Sequence, residues 1–133
     1  GNYSIYDDAQ SNNLRGVGIT DATGTARFTT IVPGCYDGRW PHIHFEVFDS
    51  PETMNSGRDS LLISQFALPE DMCRATYDAD DRYTTGNRNL DRVSLTRDIA
   101  FRDNDSSQMQ AQMMSVTGST TDGFFGSITV GLA

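Results

Sequence analysis

The sequence has no lysine, two cysteines, two histidines and no long apolar run. A bilayer-spanning helix needs ~20 apolar residues in succession, so the sequence predicts no membrane span. Two cysteines form at most one disulfide, which excludes a disulfide-rich scaffold and leaves the compartment open. The formal net charge of -8 argues against nucleic acid and anionic membranes as partners, because both favour a basic surface.

The length and the spacing of apolar residues predict one β-rich domain. A chain of 133 residues suits a single compact unit, and we expect residues 1–133 to form one. Turn signals such as Pro33-Gly34 and Asp122-Gly123 separate short segments rich in β-branched and aromatic residues. An all-β fold, specifically a β-sandwich with long loops, is therefore expected. The predicted strands are 26–31, 42–48, 61–66, 109–117 and 124–130.

Outside the strands, the sequence predicts one short helix and one long loop. Pro69 followed by Glu70 and Asp71 is typical of a helix start, and no breaker follows as far as Ala75. Residues 78–105 are dense in polar and turn-forming residues with little periodicity, which favours a long surface excursion. Three methionines inside the fourth predicted strand are expected to pack in the core: Met109, Met113 and Met114.

Both histidines of the chain lie in one predicted strand, two residues apart. Alternate residues of a strand point to the same face, so His42 and His44 can share one metal ion. Neutral imidazole binds zinc, copper, iron or nickel. The residues between and after them, Ile43, Phe45 and Val47, are apolar, so a polar site on the histidine face would account for the alternation.

Several interpretations of this pair remain open from the residues alone. The histidines could lie on a polar strand face and bind nothing. Cys35 and Cys73 could complete a Cys2His2 zinc site, or Glu46 could complete a ferrous site of two histidines and one carboxylate. Tyr36, six residues before His42 in a Pro-Gly turn, could bring its phenol to the same point. A site of three histidines is excluded within one chain, which has only two.

The opening GNYSIYDD and the stretch LRGVGITDATGTARFTTIVPGCYDGRWPHIHFEVF together carry a resemblance to a known family. They resemble the intradiol ring-cleavage dioxygenases, the family of catechol 1,2-dioxygenase and protocatechuate 3,4-dioxygenase, and are most similar to its single-domain secreted members. The matching pattern runs G-x-Y-S, L-R-G-x-x-x-T-D, then P-G-x-Y-x-G-R-x-P-H-I-H. It continues through later segments and covers nearly the entire chain.

The resemblance implies a non-haem Fe(III) site and a ring-cleaving reaction. The expected substrates are a catechol-type aromatic diol and O2, and the expected product is a cis,cis-muconate. Tyr36 would be the ligand that substrate displaces, and Arg39 would stabilise negative charge on the bound ring. Gln65 matches a pocket glutamine, with a longer spacing from Arg39 than in the cytosolic catechol enzymes. The implied iron ligands are Tyr3, Tyr36, His42 and His44.

The chemistry accounts for these residue types. Two phenolates reduce the positive charge of ferric iron, which favours hard anionic oxygen donors. A tyrosinate that leaves the metal can also accept a proton from the incoming diol, so ligand and base are the same group. A permanent cation at Arg39 suits a site where negative charge develops. The alternative for Arg39 is a structural salt bridge to Asp37 or Glu46.

The chain departs from the family pattern at its start and beside Tyr36. The first ligand is residue 3, whereas a segment that contributes sandwich strands precedes it in the family. We therefore expect a C-terminal portion of the catalytic domain, completed by that segment or by a second chain. Cys35 stands where relatives often have a bulky residue, so the catechol derivative is not determined. The triplets Asn2-Tyr3-Ser4 and Asn104-Asp105-Ser106 match the glycosylation pattern and favour secretion.

A function of a different class also fits the sequence. A β-sandwich binding module could keep this fold after losing turnover. The presence of all four implied ligands together with Arg39 favours the enzyme.

Overall fold

The computed structural model describes residues 14–54 and 57–132. The chain divides into two compact units, with the boundary between Ile31 and Val32. All of the described strands and helices lie in the second unit. Tyr3, the first implied iron ligand, lies outside the described residues, and one catalytic domain over residues 1–133 stays a prediction.

Two antiparallel hairpin-like pairs form the described sheets. Strand β1, His42–Val47, pairs with β2, Leu62–Ala67. Strand β3, Ser115–Ser119, pairs with β4, Gly123–Ser127. The predictions for the first pair are confirmed to within one residue at each end, because the alternation of side chains there is regular.

Three α-helices accompany these strands in the described part of the chain, so its fold is mixed. They are α1, Glu70–Ala79, α2, Thr84–Leu90, and α3, Ser106–Gln112. Single turns of 3-10 helix occur at Pro51–Thr53, Gly57–Asp59 and Asp81–Tyr83. The prediction of an all-β fold with one short helix is therefore wrong in its helix content. None of the described helices has the length and apolar character needed to cross a membrane.

Helix α1 confirms the predicted helix and supplies much of the core. Pro69 occupies the N-cap and acidic residues fill the first turn, where they complement the helix dipole. The helix continues beyond Ala75 to Ala79. Met72, Cys73 and Tyr77 are buried on one face, as expected for an amphipathic helix.

The prediction that residues 78–105 form a surface excursion is wrong. Helix α2 lies within this segment, and Leu90 and Phe101 are buried in the core. Asp98, between them, has only 1% of its surface exposed. Widely spaced apolar residues anchor the segment while the polar residues between them face solvent, so no simple periodicity marks it.

Two of the other strand predictions also fail, for different reasons. The segment 109–117 begins inside α3 because Asp105 caps that helix: its carboxylate accepts from the Ser107 and Gln108 amides, and Gln108 completes a capping box. Met109 therefore packs against the core from a helix, and Met113 and Met114 pack against it from the residues after that helix.

The predicted strand 26–31 is also absent: residues 26–31 form no strand with any described residue, because β-propensity alone does not supply a partner. Strand β4 ends at Ser127, before the predicted Val130.

Both cysteines are buried with free thiols in this fold. Burial raises the pKa of Cys35 to about 11 and the pKa of Cys73 to about 12, so both are neutral thiols at neutral pH. A thiolate is the reactive form, and neither group offers it.

We therefore expect both thiols to resist a maleimide reagent in the native protein and both to react after unfolding in denaturant without reductant. Mass spectrometry of the labelled chain measures this directly. An unfolded chain that takes up no label would instead indicate a Cys35–Cys73 disulfide.

Candidate metal centre

A tight turn brings Tyr36 and Arg39 to the same side of the chain. The Arg39 amide donates to the Tyr36 carbonyl at 3.4 Å, and Gly38 between them has φ 79°. This positive φ at the third turn position is typical of a type II turn and favours glycine. The spacing Tyr-x-Gly-Arg therefore has a geometric reason: the Arg39 Nη1 donates to the Tyr36 hydroxyl oxygen at 3.3 Å.

Side chains from the helical segment hold the backbone that leads to Tyr36. The Tyr77 and Tyr83 hydroxyls donate to the carbonyls of Pro33 and Val32, each at 2.7 Å. The Asn89 amide donates to the Cys35 carbonyl at 3.0 Å. Each such bond contributes about 1 kcal/mol to stability. The ligand loop, residues 32–41, is thus fixed against α1 and α2.

Strand β1 places the two histidines on one face, as predicted. His42 lies opposite Ala67 and His44 lies opposite Gln65 in the antiparallel register. The ring centroids of His42 and His44 are 4.8 Å apart, and those of Tyr36 and His42 are 5.7 Å apart. The structure therefore brings Tyr36, His42 and His44 together.

The backbone fixes which nitrogen of His42 is available to a ligand. Its Nδ1 lies 2.5 Å from the Trp40 carbonyl oxygen, which can only accept, so Nδ1 carries the proton. The Nε2 lone pair then faces the Tyr36 hydroxyl, 3.5 Å away. Two donor atoms bound to one ion at ~2.0–2.2 Å lie about 3–4 Å apart, so this separation suits a shared metal.

Both histidines favour the neutral form. Burial lowers the pKa of His42, helped by the Arg39 charge and opposed by the hydrogen bond to the Trp40 carbonyl. Desolvation lowers the pKa of His44 to about 4, together with the neighbouring His42 and Arg39, although His44 is an exposed residue. Neutral imidazole is the form that binds a metal ion.

Arg39 uses three of its N–H groups to join the site together. Besides Tyr36, its Nη2 donates to the Gln65 Oε1 at 2.6 Å and its Nε donates to the Asp98 Oδ2 at 2.9 Å. Gln65 therefore lies beside Arg39, and its assignment as a pocket glutamine stays a prediction. The alternative prediction was that Arg39 forms a structural salt bridge to Asp37 or Glu46. Arg39 does form a salt bridge, but its partner is Asp98.

Asp98 is the site residue that sequence reasoning missed. Its Oδ2 also accepts from the Trp40 amide at 2.6 Å, and its Oδ1 accepts from the Ala100 amide at 2.8 Å. Burial by itself raises the pKa of Asp98, but the bonds from Arg39, Trp40 and Ala100 outweigh it, and the pKa lies below its ordinary value. No pattern in the segment 91–103, which contains three aspartates and three arginines, distinguishes this carboxylate from the other two.

The donor set limits which metal the site can take. In the described part of the chain, no group of three His, Cys, Asp or Glu side chains is placed to hold a metal ion. The Cys35 thiol donates to the Arg39 carbonyl at 3.3 Å, within its own loop. The described residues thus give no support to a Cys2His2 zinc site or a site of two histidines and one carboxylate. A site here depends on the Tyr36 phenol.

Two cavities among the described residues lie away from the histidines. A cavity of about 150 Å³ lies against the opposite face of β1 and β2, lined by Phe45, Phe66 and Val130 among others. A larger one adjoins the end of α3 and the start of β3. Neither includes a histidine, so the candidate site rests on its donor groups and not on a cavity.

Comparisons with known proteins add no further guide: no family model matches the chain, and neither the curated proteins nor the solved structures give a match.

The Arg39–Asp98 pair predicts a specific pH dependence of stability. Because the pKa of Asp98 is lowered in the folded state, its contribution is fully present above the ordinary carboxyl pKa of about 3.9 and is lost as the pH falls through the folded value. We expect Asp98→Asn to reduce the free energy of unfolding by about 3–5 kcal/mol at neutral pH, because it leaves Arg39 without its buried partner.

The difference between wild type and variant should then shrink as the pH falls below about 4, because the Asp98 carboxyl takes up a proton in the unfolded chain first and in the folded chain only at its lower pKa. Denaturant unfolding of both proteins from neutral pH to about pH 3 measures it. The charged or titratable groups that interact electrostatically with Asp98 are Arg39, His42 and Cys35. A difference that stays constant through the acid range would contradict the assignment of this carboxylate as ionised in the fold.

Proposed function

We propose that this chain binds Fe(III) and cleaves a catechol-type ring between its two hydroxyl-bearing carbons, with both atoms of O2 entering a cis,cis-muconate-type product. The observation that carries the proposal is the convergence of the Tyr36 phenol and the His42 Nε2 on one point, beside the His44 ring. This arrangement supports the family resemblance at the positions where the resemblance is most specific. Tyr3 is proposed as the second tyrosinate ligand.

The donor set fits ferric iron. Phenolate oxygen is a hard anionic donor, and imidazole is a common ligand of iron. Tyr36, His42 and His44 would hold the ion, with Tyr3. When bound, the ion would supply Lewis acidity and a redox-active centre that draws electron density from a chelated diol, which side chains alone cannot do.

The side chains of the site would handle protons and charge. The Tyr36 phenolate oxygen would accept a proton from the hydroxyl group of an arriving diol. The Arg39 Nη1, already 3.3 Å from that oxygen, donates toward the same region and stabilises negative charge there. Gln65, bonded to Arg39 Nη2, keeps the guanidinium turned toward the site.

The complete domain is proposed to be a β-sandwich of the intradiol type. The two described antiparallel pairs would form part of it, and an N-terminal segment or a second chain would supply further strands. We also propose that the protein is secreted, because two triplets in its sequence match the N-glycosylation pattern. The partners are a small aromatic diol and O2.

The test is a visible absorption spectrum with iron analysis of the purified protein after ferric reconstitution, recorded before and after adding catechol in air. We expect a red-burgundy tyrosinate-to-iron absorption band that shifts with catechol, followed by the ultraviolet absorbance of a muconate. A protein that stays colourless and iron-free would overturn iron binding by this chain alone, leaving either a site that needs the completing segment or the non-catalytic β-sandwich binding module.

Matched variants separate the site from the fold. We expect Tyr36→Phe to weaken and shift the absorption band, leaving the contribution of Tyr3, and His44→Ala to lower iron affinity about 100-fold, because each removes a donor atom. Tyr83→Phe is the control, since it removes a phenol oxygen that bonds to the Val32 carbonyl away from the histidines. Equal spectra for Tyr36→Phe and wild type would show that Tyr36 is not a ligand.

A further inference from the structure

One carboxylate oxygen holds two consecutive residues of the ligand loop. The Asp98 Oδ2 accepts from the Arg39 Nε at 2.9 Å and from the Trp40 amide at 2.6 Å. The Asp98 side chain has no exposed surface, and that of Arg39 is 17% exposed. Both bonds therefore form in a region of low dielectric, where charge-assisted hydrogen bonds are strong.

Both residues held by Asp98 lead directly to proposed ligands. Arg39 reaches the Tyr36 hydroxyl oxygen through Nη1. The Trp40 carbonyl accepts a hydrogen bond from the His42 Nδ1–H. The Trp40 indole Nε1–H donates in turn to the Leu68 carbonyl at 2.9 Å. A displacement of Asp98 would thus be transmitted to the tyrosine through one residue and to the histidine through the other.

The bond to Asp98 fixes the orientation of the Arg39 guanidinium. Arg39 turns its Nε edge toward Asp98, which leaves Nη1 and Nη2 to point at Tyr36 and Gln65. A planar guanidinium with its Nε fixed has little freedom to rotate. The Asp98 charge also offsets the Arg39 charge, which would otherwise stand uncompensated beside a metal cation.

We propose that Asp98 is a positioning residue of the candidate centre: it acts through Arg39 and Trp40 to set the environment of Tyr36 and His42. The inference rests on the proposed function for its effect on turnover. Its effect on Arg39 does not, because the bond between Arg39 and Asp98 involves only side chains of this chain.

The decisive variant is Asp98→Asn, with Asp91→Asn as the matched control. Asp91 also pairs with an arginine, Arg74 at 2.6 Å, but on an exposed surface. We expect Asp98→Asn to retain iron, to lower kcat about 10- to 100-fold with a smaller change in KM, and to shift the tyrosinate-to-iron absorption maximum. Asp91→Asn should change none of these.

The shift of the absorption maximum distinguishes positioning from simple destabilisation. It reports the electron density on the Tyr36 oxygen, which the Arg39 Nη1 contacts, and a fold that is merely less stable does not move it. An Asp98→Asn protein that binds iron with the wild-type absorption maximum and kcat would overturn the inference while leaving the proposed function intact.

A second measurement needs neither iron nor a folded variant. Nitrogen-15 NMR of the metal-free wild type compares hydrogen exchange at the Arg39 Nε–H with that at the Arg74 Nε–H, which bonds to the exposed Glu70 at 3.2 Å. We expect the Arg39 proton, held by a buried carboxylate, to exchange at least about 10-fold more slowly. Equal exchange rates would overturn the positioning of Arg39 even if the protein proves to bind no iron.

Discussion

Arg39 and Asp98 form an ion pair whose carboxylate is entirely buried, and the candidate centre is organised around it. Removing one partner of a buried pair commonly costs about 3–5 kcal/mol, a large part of the 5–15 kcal/mol that stabilises a typical domain. Burying the Asp98 charge also has a desolvation cost. That cost is offset because the carboxylate accepts hydrogen bonds from Ala100 and Trp40 as well as Arg39. The pair therefore joins the turn-rich segment after α2 to the ligand loop and to strand β1.

The two faces of the β1–β2 pair have different tasks. One face carries His42, His44 and their cross-strand neighbour Gln65. On the other, Phe45 and Phe66 stack with ring centroids 4.1 Å apart, and α3 covers the strands through a bond from Gln112 to Ser64. The alternation of polar and apolar residues in the strand is thus explained by a polar site on one side and packing on the other.

The parts of this architecture that the sequence predicts are those with local physical causes. A period of two places His42 and His44 on one face, and Pro69 marks the start of α1. Helix α3 was also detectable in principle, because Asp105 and Gln108 have the spacing of a capping box, but the apolar residues that follow favoured a strand. Tyr3 lies outside the described residues and stays a prediction.

Asp98 was not predictable from local sequence, since its partner Arg39 is 59 positions away. Asp98 differs from the other aspartates of the segment 91–103 in being buried, and burial is a property of the tertiary fold. The segment around it contains Leu90 and Phe101, which are separated by too many polar residues to form a recognisable periodic pattern. Long-range electrostatic pairs of this kind require the structure.

The anchoring of the ligand loop has a consequence for how Tyr36 can move. Carbonyl groups at Val32, Pro33 and Cys35 are all engaged by side chains of the helical segment, so the backbone before Tyr36 is restrained. Departure of the phenol from a metal would then proceed by rotation about the side-chain bonds of Tyr36. Side-chain rotations of this kind need no loop rearrangement, and at exposed residues they occur in picoseconds to nanoseconds, whereas loop motions extend to microseconds. Ligand exchange at this position would be a local event that leaves the surrounding fold in place.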